Sequence, residues 1–261
     1  MTRICIAGAT GWTGSALVDG VLTAGDLELA GAVARSAAGQ DLGTALGREP
    51  LGVPVHAAVA DALDGSDVLI DYTSHQAVKA NTLAAIERGV AVVVGSSGLT
   101  AADFEEIDAA ARARGVGVIA AGNFSLTAAM AQAAALLVAR QLPHWEVIDY
   151  ASDAKRDVPS GTARELAERL AAVREPVAAA SVAGPTEARG AAIAGTQVHS
   201  LRLPSFVVST EVIFGLPDER LSIRHDAGGS ATPYVAGTLL AARAVVGRTG
   251  LTRGLDTLLL D

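Results

Sequence analysis

Strand-like and helix-like runs alternate through the first 124 residues of the chain. The strand-like runs are short and apolar, and VAVVVGSSG at 90–98 is the clearest of them. A continuous β-branched run of this kind is typical of a strand that is covered on both faces. The helical runs between the strands end at glycines, as helices commonly do. Such alternation with short joints predicts an α/β fold built on a parallel, doubly wound sheet.

The pattern changes after Phe124. A long apolar helical run at 127–142 is followed by a strand-like run at 144–154, and residues 174–192 read as a loop rich in alanine, proline and glycine. Three further strand-like runs within 197–227 predict an antiparallel meander. We therefore expect a second, smaller α+β domain.

Composition and charge exclude several classes of protein. The chain has 261 residues and a net charge of −8, which argues against a dedicated nucleic-acid binder because such domains are normally basic. No apolar run reaches the roughly 18 residues of a membrane span. The N-terminal segment lacks a signal-peptide cleavage pattern, and the single cysteine, Cys5, lies inside an apolar run. We therefore expect a cytoplasmic protein with neither a membrane nor a nucleic-acid partner.

A glycine-rich motif follows the first strand-like run. Residues 8–14 read GATGWTG, with a glycine at every third position where the strand meets the first helix. Glycines let a phosphate approach the backbone, and the free N–H groups of a helix start attract it. We interpret this motif as a dinucleotide site, the alternative being a merely tight structural turn. The predicted cofactor-binding residues are Gly8, Ala9, Thr10, Gly11, Trp12, Thr13 and Gly14.

The end of the second strand bears on which dinucleotide is bound. An NAD-binding chain usually has an acidic residue there, which bonds the ribose 2′-hydroxyl. Here the strand ends at Ala34, followed by Arg35 and Ser36. A guanidinium and a hydroxyl without a carboxylate favour the 2′-phosphate of NADPH, with NADH possible. Alternatively, Arg35 is only a solvated surface residue.

Two further strand ends complete the predicted cofactor edge. Polar residues at the carboxyl edge of a parallel sheet usually face the ligand, although Asp71 is also suited to capping a helix. These positions are Asp71, Tyr72, Thr73, Gly95, Ser96, Ser97 and Gly98.

The stretch DAKRDVPSGTARELAERL at 153–170 predicts a second anion site. Apolar residues recur with helical spacing from about residue 163, and Thr162 with Glu165 suggests a capping box. Ser160, Gly161 and Thr162 would present hydroxyls and N–H groups at the positive end of this helix. With Lys155 just upstream, the group suits a carboxylate. A well-capped helix beside a surface lysine is the alternative.

Taken together, the motifs resemble the 4-hydroxy-tetrahydrodipicolinate reductase family, also called dihydrodipicolinate reductase. The matching segments occur in the family's order and cover nearly the whole chain. They are AGATGWTG, IDYTSHQAV, VGSSGLT, GNFS, KRDVPSGTA, HSLR and ERLSIRHDA. The K-x-D-x-P-S-G-T-A element is highly specific.

The resemblance implies a Rossmann-type domain and an α+β substrate domain, usually assembled as a homotetramer. It implies hydride transfer from NADH or NADPH to a small cyclic unsaturated dicarboxylate, with Lys155 supplying a proton or positive charge and Gly161–Thr162 holding a carboxylate. It also places Gly122, Asn123 and Phe124 of the GNFS segment at the cofactor.

We therefore predict two domains. Residues 1–123 and 231–261 form the dinucleotide-binding domain, and the second of these ranges begins with a helical run. Residues 124–230 form the substrate-binding and oligomerisation domain.

The chain departs from the family's pattern in its second half. Ala151 and Ser152 stand where the family usually carries two histidines, and Ala151 can do no proton chemistry. Thr127 and Val208 replace usual glycines, and Thr210 replaces a usual histidine. The residues predicted to bind the cofactor, Lys155 and the predicted anion site at Ser160–Thr162 all match the family. This pattern therefore fits a reductase adapted to another substrate better than an inactive copy.

Another group must then move the proton. Tyr150 and Lys155 are the candidate donors, and in an extended strand Asp153 would share a face with Lys155, although such a pair could equally be an exposed ion pair of little consequence. We interpret His199 and His225 as structural. The remaining histidines show no ligand spacing, so we predict no metal.

The sequence thus predicts an NAD(P)H-dependent reductase of a small cyclic imine or enamine carboxylate, similar to the lysine-biosynthesis enzyme. The alternatives are a paralogous reductase of a different pathway and a catalytically weak dinucleotide-sensing protein.

Overall fold

The computed structural model describes residues 1–177 and 183–260. They form two compact units. The first comprises Met1–Ser125 together with the chain from Ala231 onward, and the second comprises Leu126–Ser230. Among the described residues, no helix is both long and apolar enough to cross a bilayer.

In chain order, the described strands are β1 (Thr2–Ala7), β2 (Leu27–Val33), β3 (Val55–His56), β4 (Val68–Asp71), β5 (Ala91–Val94), β6 (Gly117–Ala120), β7 (Trp145–Ala151), β8 (Ala191–Ile193), β9 (Thr196–Arg202), β10 (Val208–Leu216), β11 (Glu219–Asp226) and β12 (Gly250–Arg253). The described α-helices are α1 (Trp12–Thr23), α2 (Leu42–Ala45), α3 (Val59–Ala62), α4 (Val78–Glu87), α5 (Ala101–Arg114), α6 (Leu126–Ala139), α7 (Gly161–Val173), α8 (Thr232–Val245) and α9 (Thr257–Leu260).

The first unit is built on a seven-stranded sheet with the order β12-β6-β5-β4-β1-β2-β3. All of its strand pairings are parallel, which confirms the predicted doubly wound α/β fold. All four residues of β4, β5 and β6 are buried, because helices cover both faces of a parallel sheet. Strand β12 is too short and polar to have been recognised from its sequence.

Helix α5 shows how local signals set the helix bounds in this unit. The Thr100 side chain accepts a hydrogen bond from the Asp103 backbone, and the Asp103 carboxylate accepts one from the Thr100 backbone, so the two form a capping box. The helix ends at Gly115, whose φ of 72° is in the left-handed region that glycine adopts without strain.

The second unit contains a five-stranded sheet with the order β11-β10-β7-β9-β8. Side chains from one face of this sheet pack with α6 and α7 in a buried cluster that includes Trp145, Val147 and Phe214. Ile148 and Tyr150 alternate with these residues along β7 and therefore point to the opposite face.

The predicted three-stranded meander is wrong. Strands β10 and β11 do form an antiparallel hairpin, but β7 pairs between β10 and β9 and runs parallel to β9. Long-range pairing therefore overrides the order of the strands along the chain. The predicted loop at 174–192 contains a 3₁₀ turn at Thr186–Arg189 and the start of β8, and its residues 178–182 lie outside the described part.

Candidate active site

A cavity of about 490 Å³ lies at the carboxyl edge of the parallel sheet in the first unit. Its lining combines the glycine motif with the ends of β2 and β4 and the start of α4. The lining residues are Gly8, Thr10, Gly11, Val33, Ala34, Arg35, Ser36, Ala57, Ala58, Val59, Tyr72, Thr73, Ser74, Ala77 and Asn81. Open parallel sheets bind ligands at this edge.

Two glycines of the motif, Gly8 and Gly14, occupy positions that are too tight for a side chain. Gly8 has a φ of +84°, and a Cβ on Gly14 would lie 2.0 Å from the Gly8 carbonyl oxygen. Gly11 is the N-cap of α1 and offers no side chain to the first turn, which leaves the N–H groups there for solvent or a ligand. A cavity of this size against an uncapped helix start fits a dinucleotide diphosphate.

Arg35 and Ser36 lie at the edge of this cavity. They begin a 3₁₀ turn directly after β2, and both are exposed. Ala34, at the strand end, is buried. The described lining contains no carboxylate, so the guanidinium and the hydroxyl are the polar side-chain groups at this end of β2.

Asp71 organises the neighbouring strand ends from a fully buried position. Its carboxylate accepts hydrogen bonds from the Thr73 backbone at 3.0 Å and the Thr73 hydroxyl at 2.8 Å, from Asn81 at 2.8 Å and from Ser96 at 2.6 Å. Thr73 and Asn81 line the cavity, so Asp71 holds its wall rather than capping a helix.

The single cysteine is buried in the first strand. Burial is the main cause that raises the pKa of the Cys5 thiol to about 12, and the charge of Asp71 is the second. A thiol with so high a pKa fits a small buried side chain.

Not all of the predicted cofactor residues line this cavity, and some pack behind its wall. Tyr72 lines the cavity, yet its hydroxyl lies 2.9 Å from the Thr238 hydroxyl and its ring packs edge-on to Phe124. A Cβ on Gly95 would lie 2.2 Å from the Tyr72 ring. The other predicted positions outside the described lining are Ala9, Trp12, Thr13, Gly14, Ser96, Ser97, Gly98, Gly122 and Asn123. Sequence reasoning missed Ala57 to Val59, which follow a strand of only two residues and carry no recognisable signal.

In the second unit, the start of α7 is fixed by a buried carboxylate. The N-cap of α7 is Ser160, whose hydroxyl accepts a hydrogen bond from the Ala163 backbone at 3.3 Å. The predicted cap at Thr162 is therefore wrong, because the helix begins earlier. The Ser160 backbone N–H and hydroxyl donate to Asp149 at 2.9 Å and 2.6 Å. Gly161 and Thr162 thus lie in the first turn of a 13-residue helix, at the positive end of its dipole.

Arg202 connects this helix start to Lys155. One Arg202 nitrogen lies 2.8 Å from the Asp149 carboxylate and 2.7 Å from the Asp157 carbonyl oxygen. The Lys155 ammonium lies 2.8 Å from the Asp157 carboxylate. Asp157 and Arg202 both fall within motifs quoted above, but their roles were missed because they depend on contacts between β7, β9 and the loop before α7.

The expected pairing of Asp153 with Lys155 is wrong. Strand β7 ends at Ala151, and the chain then turns, with the Lys155 N–H bonded to the Ser152 carbonyl oxygen. Asp153 instead accepts a hydrogen bond from the Ser152 hydroxyl at 3.2 Å. Ala151 is fully buried. Neither Ala151 nor Ser152, the two residues at the family's histidine positions, has a side chain that titrates near neutral pH.

Tyr150 points away from the α7 start. It follows Asp149 in β7 and so lies on the other face of the sheet, where its hydroxyl donates to Glu211 at 2.9 Å and Arg224 stacks on its ring. Burial and the Glu211 carboxylate raise the pKa of the Tyr150 phenol. The geometry therefore favours Lys155 over Tyr150 as a proton donor to a molecule bound at the start of α7.

His199 and His225 have different surroundings. His199 lies 2.7 Å from Glu146 on the face of Tyr150, and its structural role stays a prediction. His225 lies 3.1 Å from the Thr127 hydroxyl and lines a small cavity together with Thr162. Burial lowers the pKa of His225.

Comparison with families of known proteins identifies the same relatives for both units. Residues 2–124 match the family model described as dihydrodipicolinate reductase, N-terminus, and residues 122–259 match the one described as dihydrodipicolinate reductase, C-terminus. A 4-hydroxy-tetrahydrodipicolinate reductase of Moorella thermoacetica is 38% identical, covering 98% of this chain and 97% of that protein. One from Desulfitobacterium hafniense is 35% identical, covering 98% of each.

Solved structures agree with these sequence matches. Dipicolinate-bound dihydrodipicolinate reductase from Paenisporosarcina sp. TG-14 has a TM-score of 0.76 and 28% identity, covering 98% of this chain and 99% of that one. An amine dehydrogenase from Mycobacterium smegmatis, with a TM-score of 0.65 and 17% identity over 96% of this chain and 94% of that one, shares the fold alone.

Proposed function

This chain belongs to the dihydrodipicolinate reductase family, and we propose that it reduces a small cyclic imine or enamine carboxylate with NAD(P)H. The nearest chemistry is that named for its relatives, the reduction of 4-hydroxy-tetrahydrodipicolinate in lysine biosynthesis. One observation carries the proposal for the substrate site. The Asp149–Ser160 hydrogen bonds and the Arg202 contacts hold the start of α7 and the Lys155 loop in one fixed arrangement.

Each part of this arrangement has a chemical role in the proposal. The N–H groups at Gly161 and Thr162 bind a substrate carboxylate at the positive end of α7. Reduction of a C=N bond adds hydride to carbon and a proton to nitrogen, and a bound reduced nicotinamide dinucleotide supplies the hydride. Lys155 orients the anion and donates the proton, because Tyr150 lies on the other face of the sheet.

We further propose that NADPH is preferred over NADH. The support is the position of Arg35 and Ser36 at the edge of the cavity in the first unit, next to a strand end without a carboxylate. A guanidinium pairs strongly with a phosphate dianion and only weakly with a ribose hydroxyl.

A homotetramer in the cytoplasm is the remaining part of the proposal. Tyr150 and partly exposed apolar residues, Leu201 and Leu221 among them, lie on strands of the five-stranded sheet, and exposed apolar side chains of this kind favour association between copies. Light scattering coupled to size-exclusion chromatography gives the assembly state directly.

The function is tested by following NADPH oxidation with the 4-hydroxy-tetrahydrodipicolinate precursor generated in situ. We expect turnover in the wild-type protein and its loss in Lys155→Met. The other lysine of the sequence, Lys79, pairs with Asp103 and Glu106 on the first unit, so Lys79→Met is the matched control and should retain turnover.

The replacement of the family's histidines favours a second candidate, a paralogous reductase with a different cyclic imine as substrate. Ala151 is buried and Ser152 lies in a turn, so a substrate that depends on imidazole protonation would react poorly. Binding of NADPH without turnover of the lysine-pathway compound would favour this candidate. Failure to bind either dinucleotide would overturn both candidates.

A further inference from the structure

The second unit contains a small cavity that the proposed mechanism does not use. Its volume is about 20 Å³, room for roughly one water molecule or one hydroxyl group. It reaches Thr162 in the first turn of α7. The lining residues are Ala128, Ala131, Gln132, Thr162, Leu166, Thr210, Val212, Ile223 and His225.

Thr210 brings an unsatisfied hydroxyl to this cavity. It lies on β10, directly opposite His225 of β11, and is only 7% exposed. Its Oγ1 atom is buried and has no hydrogen-bond partner among the described residues. A buried hydroxyl without a partner is unfavourable, and in native proteins such a group usually meets a water molecule or a ligand.

His225 brings a second hydrogen-bonding group. Its Nε2 atom lies 3.1 Å from the Thr127 hydroxyl, which fixes one side of the ring. Burial lowers the pKa of His225 below its ordinary value, which favours the uncharged form of the ring. The described lining contains neither lysine nor arginine. The cavity therefore suits an uncharged oxygen and disfavours a second carboxylate.

We propose that this cavity binds a single uncharged oxygen next to the substrate carboxylate, and that Thr210 is thereby a specificity-determining residue. The oxygen belongs either to a hydroxyl substituent of the substrate or to an ordered water that bridges to the substrate. The inference rests on the proposed function in one respect, the carboxylate at Gly161–Thr162. The proposed carboxylate site and the cavity share Thr162, and the proposal places a substituent of a small ring bound at the α7 start next to Thr210.

The first test is a high-resolution crystal structure of the free wild-type protein and of Thr210→Val. We expect an ordered oxygen within hydrogen-bond distance of Thr210 Oγ1 in the wild type, and its loss in the variant, because valine keeps the shape and removes the hydroxyl. A wild-type cavity without an ordered oxygen overturns the proposal, whatever the activity of the protein.

The second test compares binding of dipicolinate, which has no hydroxyl substituent, with turnover of 4-hydroxy-tetrahydrodipicolinate. If the oxygen is the substrate's own, Thr210→Val should raise KM about tenfold and leave the Kd of dipicolinate unchanged. If the oxygen is a bridging water, both constants should rise. Thr210→Ser, which retains the hydroxyl, should restore wild-type values in either case.

Thr82 provides the matched control. It is also fully buried and its hydroxyl also lacks a partner among the described residues, but it lies in α4 of the first unit and lines neither cavity. Thr82→Val should change neither constant. Unchanged constants in Thr210→Val would overturn the cavity proposal alone, whereas failure of the wild-type protein to bind dipicolinate would count against the proposed carboxylate site.

Discussion

The Lys155 ammonium lies 2.8 Å from the Asp157 carboxylate, and the carbonyl oxygen of Asp157 in turn accepts a hydrogen bond from Arg202 at 2.7 Å. The lysine of the specific K-x-D motif is thus held by the aspartate of the same motif. Arg202 also binds Asp149, which fixes the start of α7. The proposed proton donor and the proposed carboxylate site therefore share one network.

Replacement of Asp157 tests this network. Asp157→Asn should lower kcat by about 10-fold to 100-fold, because a displaced catalytic group loses the geometry of proton transfer, while the affinity for NADPH stays unchanged. Steady-state kinetics measure both. Asp153→Asn is the control, since Asp153 contacts Ser152 rather than Lys155. Equal losses in the two variants would contradict the positioning role of Asp157.

Replacement of Arg35 tests the proposed cofactor preference. Arg35→Ala should weaken NADPH binding by about 10-fold or more and change NADH binding little, because only NADPH carries the 2′-phosphate that the guanidinium would pair with. Titration calorimetry with each dinucleotide measures the two effects. Arg88→Ala, which removes an arginine paired with Asp64 on the surface of the same unit, should leave both affinities unchanged. Parallel losses for the two dinucleotides would refute contact with the phosphate.

The glycine motif predicts a sharp steric effect. A Cβ at Gly14 would lie 2.0 Å from the Gly8 carbonyl oxygen, so Gly14→Ala should displace the turn and abolish measurable dinucleotide binding at concentrations that saturate the wild type. At Gly25, by contrast, no described atom lies within 4 Å of the position that a Cβ would take, and Gly25→Ala should bind normally. Fluorescence of the bound reduced dinucleotide measures binding in both variants, and normal binding by Gly14→Ala would contradict the steric argument.

The ion pair between Lys79 and Asp103 predicts a pH dependence of stability. The pKa of Asp103 is lowered to about 2, mainly by its hydrogen bond with Lys79 and to a smaller extent by its hydrogen bonds with Thr100. Because the folded-state pKa lies below the ordinary value, this carboxylate contributes stability above about pH 4, and the contribution is lost as the pH falls toward 2. In Lys79→Met the pKa of Asp103, measured by NMR, should rise. The Tm difference from the wild type should be present at pH 5 and should disappear near pH 2; a difference independent of pH would contradict the ion-pair explanation.

Much of the first unit could be predicted from local sequence. The β-branched runs, the glycines that end helices and the Thr100–Asp103 capping box each act within a few residues, so the sequence contains the whole signal. The same holds for the glycine motif, because its steric requirement depends on one strand-to-helix turn. The position of Arg35 at the cavity edge followed from counting to the end of β2.

The second unit shows the limit of such reasoning. The order of strands along the chain suggested a meander, whereas β7 lies between β9 and β10. The face of Tyr150 and the partner of Lys155 were decided by where β7 ends and turns. Local pattern did not show that end, because the residues on both sides of it are polar or small.

The sequence by itself determined the doubly wound sheet, the glycine turn and the presence of a helix shortly after residue 160, because these depend on backbone preferences and spacing over short stretches. Only the tertiary structure decided that Asp149 binds Ser160 and Arg202, and that Thr162, Thr210 and His225 share a cavity. These residues are up to 76 positions apart in the chain, between Asp149 and His225, and only the pairing of β7, β9, β10 and β11 with the packing of α7 brings them together.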